Sequence, residues 1–171
     1  MPEVQAYTPS TTPTYDPATH AVREAAPVDG VQQWGVYPLP AEEVAANQAA
    51  ATKSAWERIK VERDRRKYLG VKVGEHWFHS DDPSRIQQIA LAMMGAAIPA
   101  GLMWKTLTLS QSPVFVEMTP ALAQGIFTAT AASDAAIFAA AETHRTAMEA
   151  MPDPENYDCT TGWPASIDDA P

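Results

Sequence analysis

Val71-Lys72-Val73-Gly74-Glu75-His76-Trp77-Phe78-His79-Ser80-Asp81-Asp82-Pro83 is where the chain changes secondary structure, and its reading decides the fold. Two short β-prone runs pivot on Gly74-Glu75, a β-hairpin. Ser80 and Asp81-Asp82 then supply side-chain oxygens for the free N–H groups of a helix start, with Pro83 in its first turn. A hairpin feeding a helix through so few residues predicts an α+β body, not separate all-α and all-β domains. Ile86, Ile89, Ala90 and Met93 recur three and four apart and predict the buried face of this helix, which Gly95 and Pro99 end. On that basis Ile89→Asp is expected to unfold the body by burying a charge.

Downstream, Trp104–Leu109 and Val114–Met118 read as a second hairpin around Ser110-Gln111-Ser112-Pro113. Thr119-Pro120 opens an Ala-rich helix that reaches about Met151, with Leu122, Ile126, Phe127, Ile137, Phe138, Ala141, His144 and Met148 on its buried side. At ~1.5 Å per residue this helix approaches ~45 Å, so part of it is expected to pack on another chain. The buried set is expected to be Ile86, Ile89, Met93, Trp104, Val114, Val116, Ile126, Phe127 and Ile137. Residues 153–171 form an acidic tail whose Trp163-Pro164 tucks onto the body.

Upstream, Pro40 followed by Ala41-Glu42-Glu43 starts a long helix expected to run to Leu69, with Gly70 as its terminator. Val44, Gln48, Ala51, Ala55, Ile59 and Glu62 trace a short coiled-coil-like stripe, so this helix is predicted to oligomerise. Residues 1–40 hold 7 of the 15 prolines and predict an extended docking arm, since proline fixes φ and removes a donor. Inside the arm, the runs 20–26 and 31–37 flank Asp29-Gly30 and predict a small hairpin. The organisation is therefore arm 1–40, helix 41–69, α+β body 70–152 and tail 153–171.

The chain of 171 residues carries a net charge of −9, unevenly distributed. Residues 53–72 hold 8 bases and 3 acids, a basic collar between two acidic ends. This run is either a solvated face braced by Glu57, Glu62 and Asp64 or a surface for nucleic acid or an acidic partner, most economically the acidic end of a neighbouring copy. The overall acidity argues against general nucleic-acid binding. The single Cys159 excludes an internal disulfide, no run reaches the ~18 apolar residues of a membrane span, and the N-terminus lacks the layout of a secretory signal.

Chemistry is thinly represented. His76 and His79, near Asp81 and Asp82, raise a metal site, yet residues three apart on a strand face opposite sides. Asp81-Asp82 has a sufficient role in helix capping, Cys159 has no base around it, and His144 sits on a long helix beside Arg145. There is no phosphate loop, dinucleotide fingerprint, nucleophile elbow or paired-Cys spacing. No catalytic, cofactor-binding or metal residues are assigned, and the expectation is a protein that is not an enzyme. Trp34, Tyr37, Trp56, Arg63, Arg66 and Trp77 are the protein-contact candidates, since aromatics and arginine supply most interface energy.

The succession Arg63-Asp64-Arg65-Arg66, Gly70-Val71-Lys72-Val73, Phe78-His79-Ser80-Asp81, Ser84-Arg85-Ile86, Trp104-Lys105-Thr106, Thr119, a long Ala-rich helix, then Tyr157-Asp158 and Gly162-Trp163-Pro164 resembles an uncharacterised domain family of tailed bacteriophages and prophages, often encoded beside tail-fibre genes. Tyr15-Asp16-Pro17-Ala18-Thr19-His20 and Gln32-Gln33-Trp34 look like segments that accompany this domain. The resemblance spans roughly residues 15–164 and transfers no catalytic residues. It implies a structural component of a tail tip, baseplate or fibre-attachment site, made in the host cytoplasm and carried in the virion tail. Its implied partners are other phage tail proteins (fibre, baseplate or adaptor) and further copies of itself, a trimer being favoured because fibres are commonly trimeric. The alternative is a tail-fibre assembly chaperone absent from the mature particle.

Overall fold

The computed structural model describes residues 8–110 and 112–169. The first seven residues of the arm, Gln111 of the expected second hairpin turn and the last two residues of the tail lie outside the described residues. The class is α+β: three helices accompany three separate antiparallel strand pairs. The chain divides into two compact units, Met1–Lys53 and Ser54–Pro171, and the division falls inside a helix, α1 (Ala41–Arg66).

The first unit is built on β1 (His20–Val28) and β2 (Val31–Pro38), paired antiparallel across a turn in which Asp29 (φ 50°) and Gly30 (φ 73°) are both left-handed. That twist matches the right-handed coil of the strands, which is why Asp-Gly closes a two-residue hairpin. Thr8 extends the ladder on β2, its N–H donating to Gly30 O and its carbonyl accepting from Gln32 N, both at 2.8 Å. Ser10 continues the contact through Oγ to Gln32 O at 2.6 Å. Asp16 folds the approach to β1 by accepting from Ala18 N and Thr19 Oγ1, both at 2.9 Å. Backbone pairing holds this unit together, because no described residue before Ala55 is buried.

In the second unit α1 ends at Arg66, three residues short of the expected Leu69. Past its end the Lys67 carbonyl, which a continuing helix would offer to Val71 N, accepts instead from two side chains, Ser80 Oγ at 2.7 Å and Arg85 Nη2 at 2.8 Å. Tyr68 and Leu69 close the turn with tighter i to i−3 bonds before Gly70 (φ 87°) reverses the chain. β3 (Val71–Val73) and β4 (His76–Phe78) form the hairpin that feeds α2 (Asp82–Met94). Asp81 caps α2 by accepting from Ser84 N at 3.0 Å. β5 (Met103–Lys105) pairs with β6 (Phe115–Glu117), and Thr119 caps α3 (Pro120–Glu149) through Leu122 N at 3.1 Å.

α3 serves two hydrophobic clusters in succession. Its N-terminal half contributes Ala123 and Ile126 to a core with Val71, Phe78, Leu91, Ile98 and Met118. Its C-terminal half contributes Ala141 and Met148 to a second cluster with Ala55 and Ile59 of α1, edged by Trp56, Tyr157 and Trp163. Both halves of α3 thus pack within the chain, and the lower part of the α1 stripe, Ala55 and Ile59, is buried in the cluster with Ala141 and Met148 of α3.

A correction concerns α2. Its inward face is Gln88 and Leu91, flanked by the half-buried Ser84, Arg85 and Ala92, whereas Ile86 and Met93 are 69% and 83% exposed. Ile89, Val114, Phe127 and Phe138 are also exposed, and Trp104 and Val116 are half-buried; of the expected core only Ile126 and Ile137 are fully inside. The physical reason is Arg85, whose guanidinium must reach inward to Ser80 O, Lys67 O and Asp134, and which fixes the helix's rotation. The apolar face lies on the other side.

Candidate functional site

The sequence-predicted contact residues fall on both units. In the first, Trp34 is half-buried on the hairpin and donates Nε1–H to Ser10 O at 3.2 Å, so the arm itself covers part of the indole. Tyr37 is 48% exposed, with the Arg23 guanidinium 6.0 Å from its ring centroid. Val28, Val31 and Val36 are exposed on the same hairpin.

In the second unit Trp56, Arg63 and Arg66 share the lower half of α1. Trp56 is flanked by Arg145 at 5.2 Å and Lys60 at 6.0 Å. Arg63 pairs with Asp64 and lies 4.9 Å over the Phe138 ring. Arg66 is mostly enclosed: it binds Glu62 at 2.8 Å, sits 5.8 Å over Trp163 and faces Asp169 at 3.6 Å. Trp77 stands apart on β4, half-buried, where its carbonyl accepts from Leu107 N at 2.8 Å.

Part of the basic collar is paired within its own chain: Lys60 with Glu57, Arg63 with Asp64, and Arg65 and Arg66 with Glu62. Glu62 takes Arg65 through both carboxylate oxygens and Arg66 through one, and these hydrogen bonds hold its carboxyl below the ordinary carboxylate value. The tail brings Asp168 to Arg65 at 3.2 Å and Asp169 to Arg66. Of the two readings the sequence left open, the bracing by Glu57, Glu62 and Asp64 is present, and the chain's own acidic tail adds to it.

Trp163 anchors that tail. Its ring lies 4.7 Å from His144 and its Nε1–H donates to Cys159 O at 2.7 Å. His144 is 7% exposed, shares a hydrogen bond with the Tyr157 hydroxyl through Nδ1 at 2.8 Å, and its Nε2 has no hydrogen-bond partner among the described residues. Burial pushes the Cys159 thiol up, which makes it a poor nucleophile. A recess of about 570 Å³ lies beside α1, lined by Ser54, Arg58, Val61, Arg65, Cys159 and Thr160 among others. A second, of about 510 Å³, lies between β3, Trp77, the small residues of α3 and Pro164–Ser166.

The sites raised for chemistry do not converge. His79 Nδ1 is 3.9 Å from Asp81 Oδ2, while burial that would raise the Asp81 carboxyl is outweighed by its two bonds to Ser84, which hold it low. Among the described residues no group of three or more His, Cys, Asp or Glu is placed to hold a metal. No described helix is long and apolar enough to cross a membrane.

Sequence reasoning quoted Arg85 only within the resemblance and assigned it no structural role. Arg85 binds Asp134 at 2.6 and 3.0 Å and Lys67 O at 2.8 Å, tying the end of α1, the start of α2 and the middle of α3. Asp134 is 49 positions away, so no local spacing signals the pair.

No curated protein and no solved structure matches the chain. The family model described as "Domain of unknown function (DUF4376)" matches residues 48–161. These residues are well over half the chain and include the lower half of α1, the hairpin, α2, β5, β6, α3 and the anchoring Tyr157 and Cys159. The protein therefore belongs to the DUF4376 family.

Proposed function

We propose that the protein is a structural component of a tailed-phage tail tip, baseplate or fibre-attachment site, which docks through its N-terminal arm and seats a fibre or receptor-binding protein on its body. The observation that carries the docking role is the first unit: an ordered hairpin without a single buried residue, presenting Val28, Val31, Val36 and Tyr37 to solvent. A two-stranded sheet is marginal in water by itself, so such a segment gains its stability from a partner surface. The resemblance of the sequence to domains encoded beside tail-fibre genes supplies the tail context. A role without catalysis accords with side chains that pair off structurally, Asp81 in a cap and Arg85 in an ion pair.

Mass spectrometry of purified phage particles, with copy number measured against the tail-tube protein, tests this proposal. Presence at a small fixed stoichiometry is the expected result. Absence from the particle, with the protein bound to fibre in infected-cell lysate, overturns it in favour of an assembly chaperone whose arm folds on its client.

A further inference from the structure

A core-like surface of the body faces solvent. Ile86, Ile89 and Met93 line one side of α2 at 69%, 44% and 83% exposure, and Phe127 of α3 stands beside them at 43%. Ile89 and Phe127, with Thr130 and Ala131, border a recess of about 200 Å³ whose edge is closed by the Arg85–Asp134 pair. The exposed parts of these four apolar side chains amount to roughly 500 Å², at the upper end of what a monomer leaves open.

We propose that this α2/α3 face is an interface and that its occupant is the same face of a second copy of the chain. Charge selects the occupant. Residues 86–104 and 118–133 contain no Asp, Glu, Lys, Arg or His, in a chain where 19% of residues are charged. At the edge of the recess Arg85 and Asp134 neutralise each other at 2.6 Å. Two molecules of net charge −9 repel over most of their surface, and a charge-free face is where they can approach. The same absence of bases disfavours an anionic membrane, since interfacial helices carry Lys and Arg on their polar edge.

Shape and area agree with pairing of like faces. An isologous contact requires one patch to carry both a projection and a recess, because residue i meets j while j meets i. Met93 and Ile86 project, and the Ile89–Phe127 recess receives. Two such patches bury about 1,000 Å² of apolar surface before any rim is counted, the threshold of a specific interface. The assembly is then a two-fold pair, not the trimer that fibre symmetry suggests, and the pairing stands independently of the tail assignment.

Sedimentation velocity on the purified full-length protein, from about 1 to 100 µM, tests the proposal without any phage component. The expected result is a reversible dimer whose dissociation constant rises at least ~10-fold in Met93→Glu and in Ile86→Glu, while Met93→Leu dimerises like the wild type and far-UV circular dichroism is unchanged in all three. A wild type that stays monomeric at 100 µM, a trimer, or a dimer that both Glu variants leave intact would overturn it. Because both Glu substitutions fall on exposed side chains, loss of the dimer with a retained spectrum cannot be attributed to unfolding.

Discussion

Ser80 shows how much a single small polar residue decides. It is fully buried, accepts from Gly70 N at 2.8 Å and donates to Lys67 O at 2.7 Å, so one hydroxyl satisfies a backbone donor and a backbone acceptor at the end of α1. Ser80→Ala leaves that donor unpaired inside and is expected to cost about 1–3 kcal/mol, read as a lower denaturant midpoint at unchanged slope. Glu62 is one contributor to the pH response, beside other lowered carboxyls such as Asp64 and Asp81. Its folded-state value lies below the ordinary 4.5, through its hydrogen bonds to Arg65 and then Arg66. A depressed acid contributes stability that is present above its unfolded value and is lost as pH falls through the folded one. The denaturant midpoint is therefore expected to fall below about pH 4.5, and Glu62→Gln to lower it at pH 7 while flattening the acid limb. Glu62→Gln with a wild-type midpoint at pH 7 and an unchanged acid limb would show that the pair contributes nothing.

At the scale of elements, caps and turns were legible in the sequence and helix rotation was not. Ser80-Asp81-Asp82-Pro83, Thr119-Pro120 and Asp29-Gly30 each carry their own stereochemistry, and the structure puts Asp81 and Thr119 at N-caps and Asp29-Gly30 in a left-handed turn. α2 misleads because hydrophobic periodicity names an apolar stripe without saying what covers it. Arg85 faces inward to Asp134, Gln88 donates to His79 O at 2.6 Å, and the isoleucines turn outward. Ile89→Asp is accordingly expected to leave the melting midpoint within a few degrees of wild type. Ile126→Ala, at 0% exposure, is expected to cost about 2–5 kcal/mol. Thermal denaturation at low protein concentration, where self-association is absent, ranks the two. The intrachain partners of Arg63 and Arg66 were not legible, because Phe138 and Trp163, the rings they meet, lie far along the chain.

For the whole molecule, the two units differ in kind. Ser54–Pro171 holds every buried side chain among the described residues, whereas Met1–Lys53 relies on backbone ladders. Removing residues 1–40 is expected to leave the main calorimetric transition nearly unchanged, and brief protease treatment to cut first in that stretch. A loss of the main transition on truncation would show that the body draws its stability from the arm. One feature of the body also has an optical use. Trp163 is a fluorophore lodged between an imidazole and a guanidinium, 4.7 Å from the His144 ring centroid and 5.8 Å from the Arg66 carbon. A chain retaining Trp163 alone of its five tryptophans would report, as a red shift in emission, the moment its own tail lifts away from the helix it pairs with.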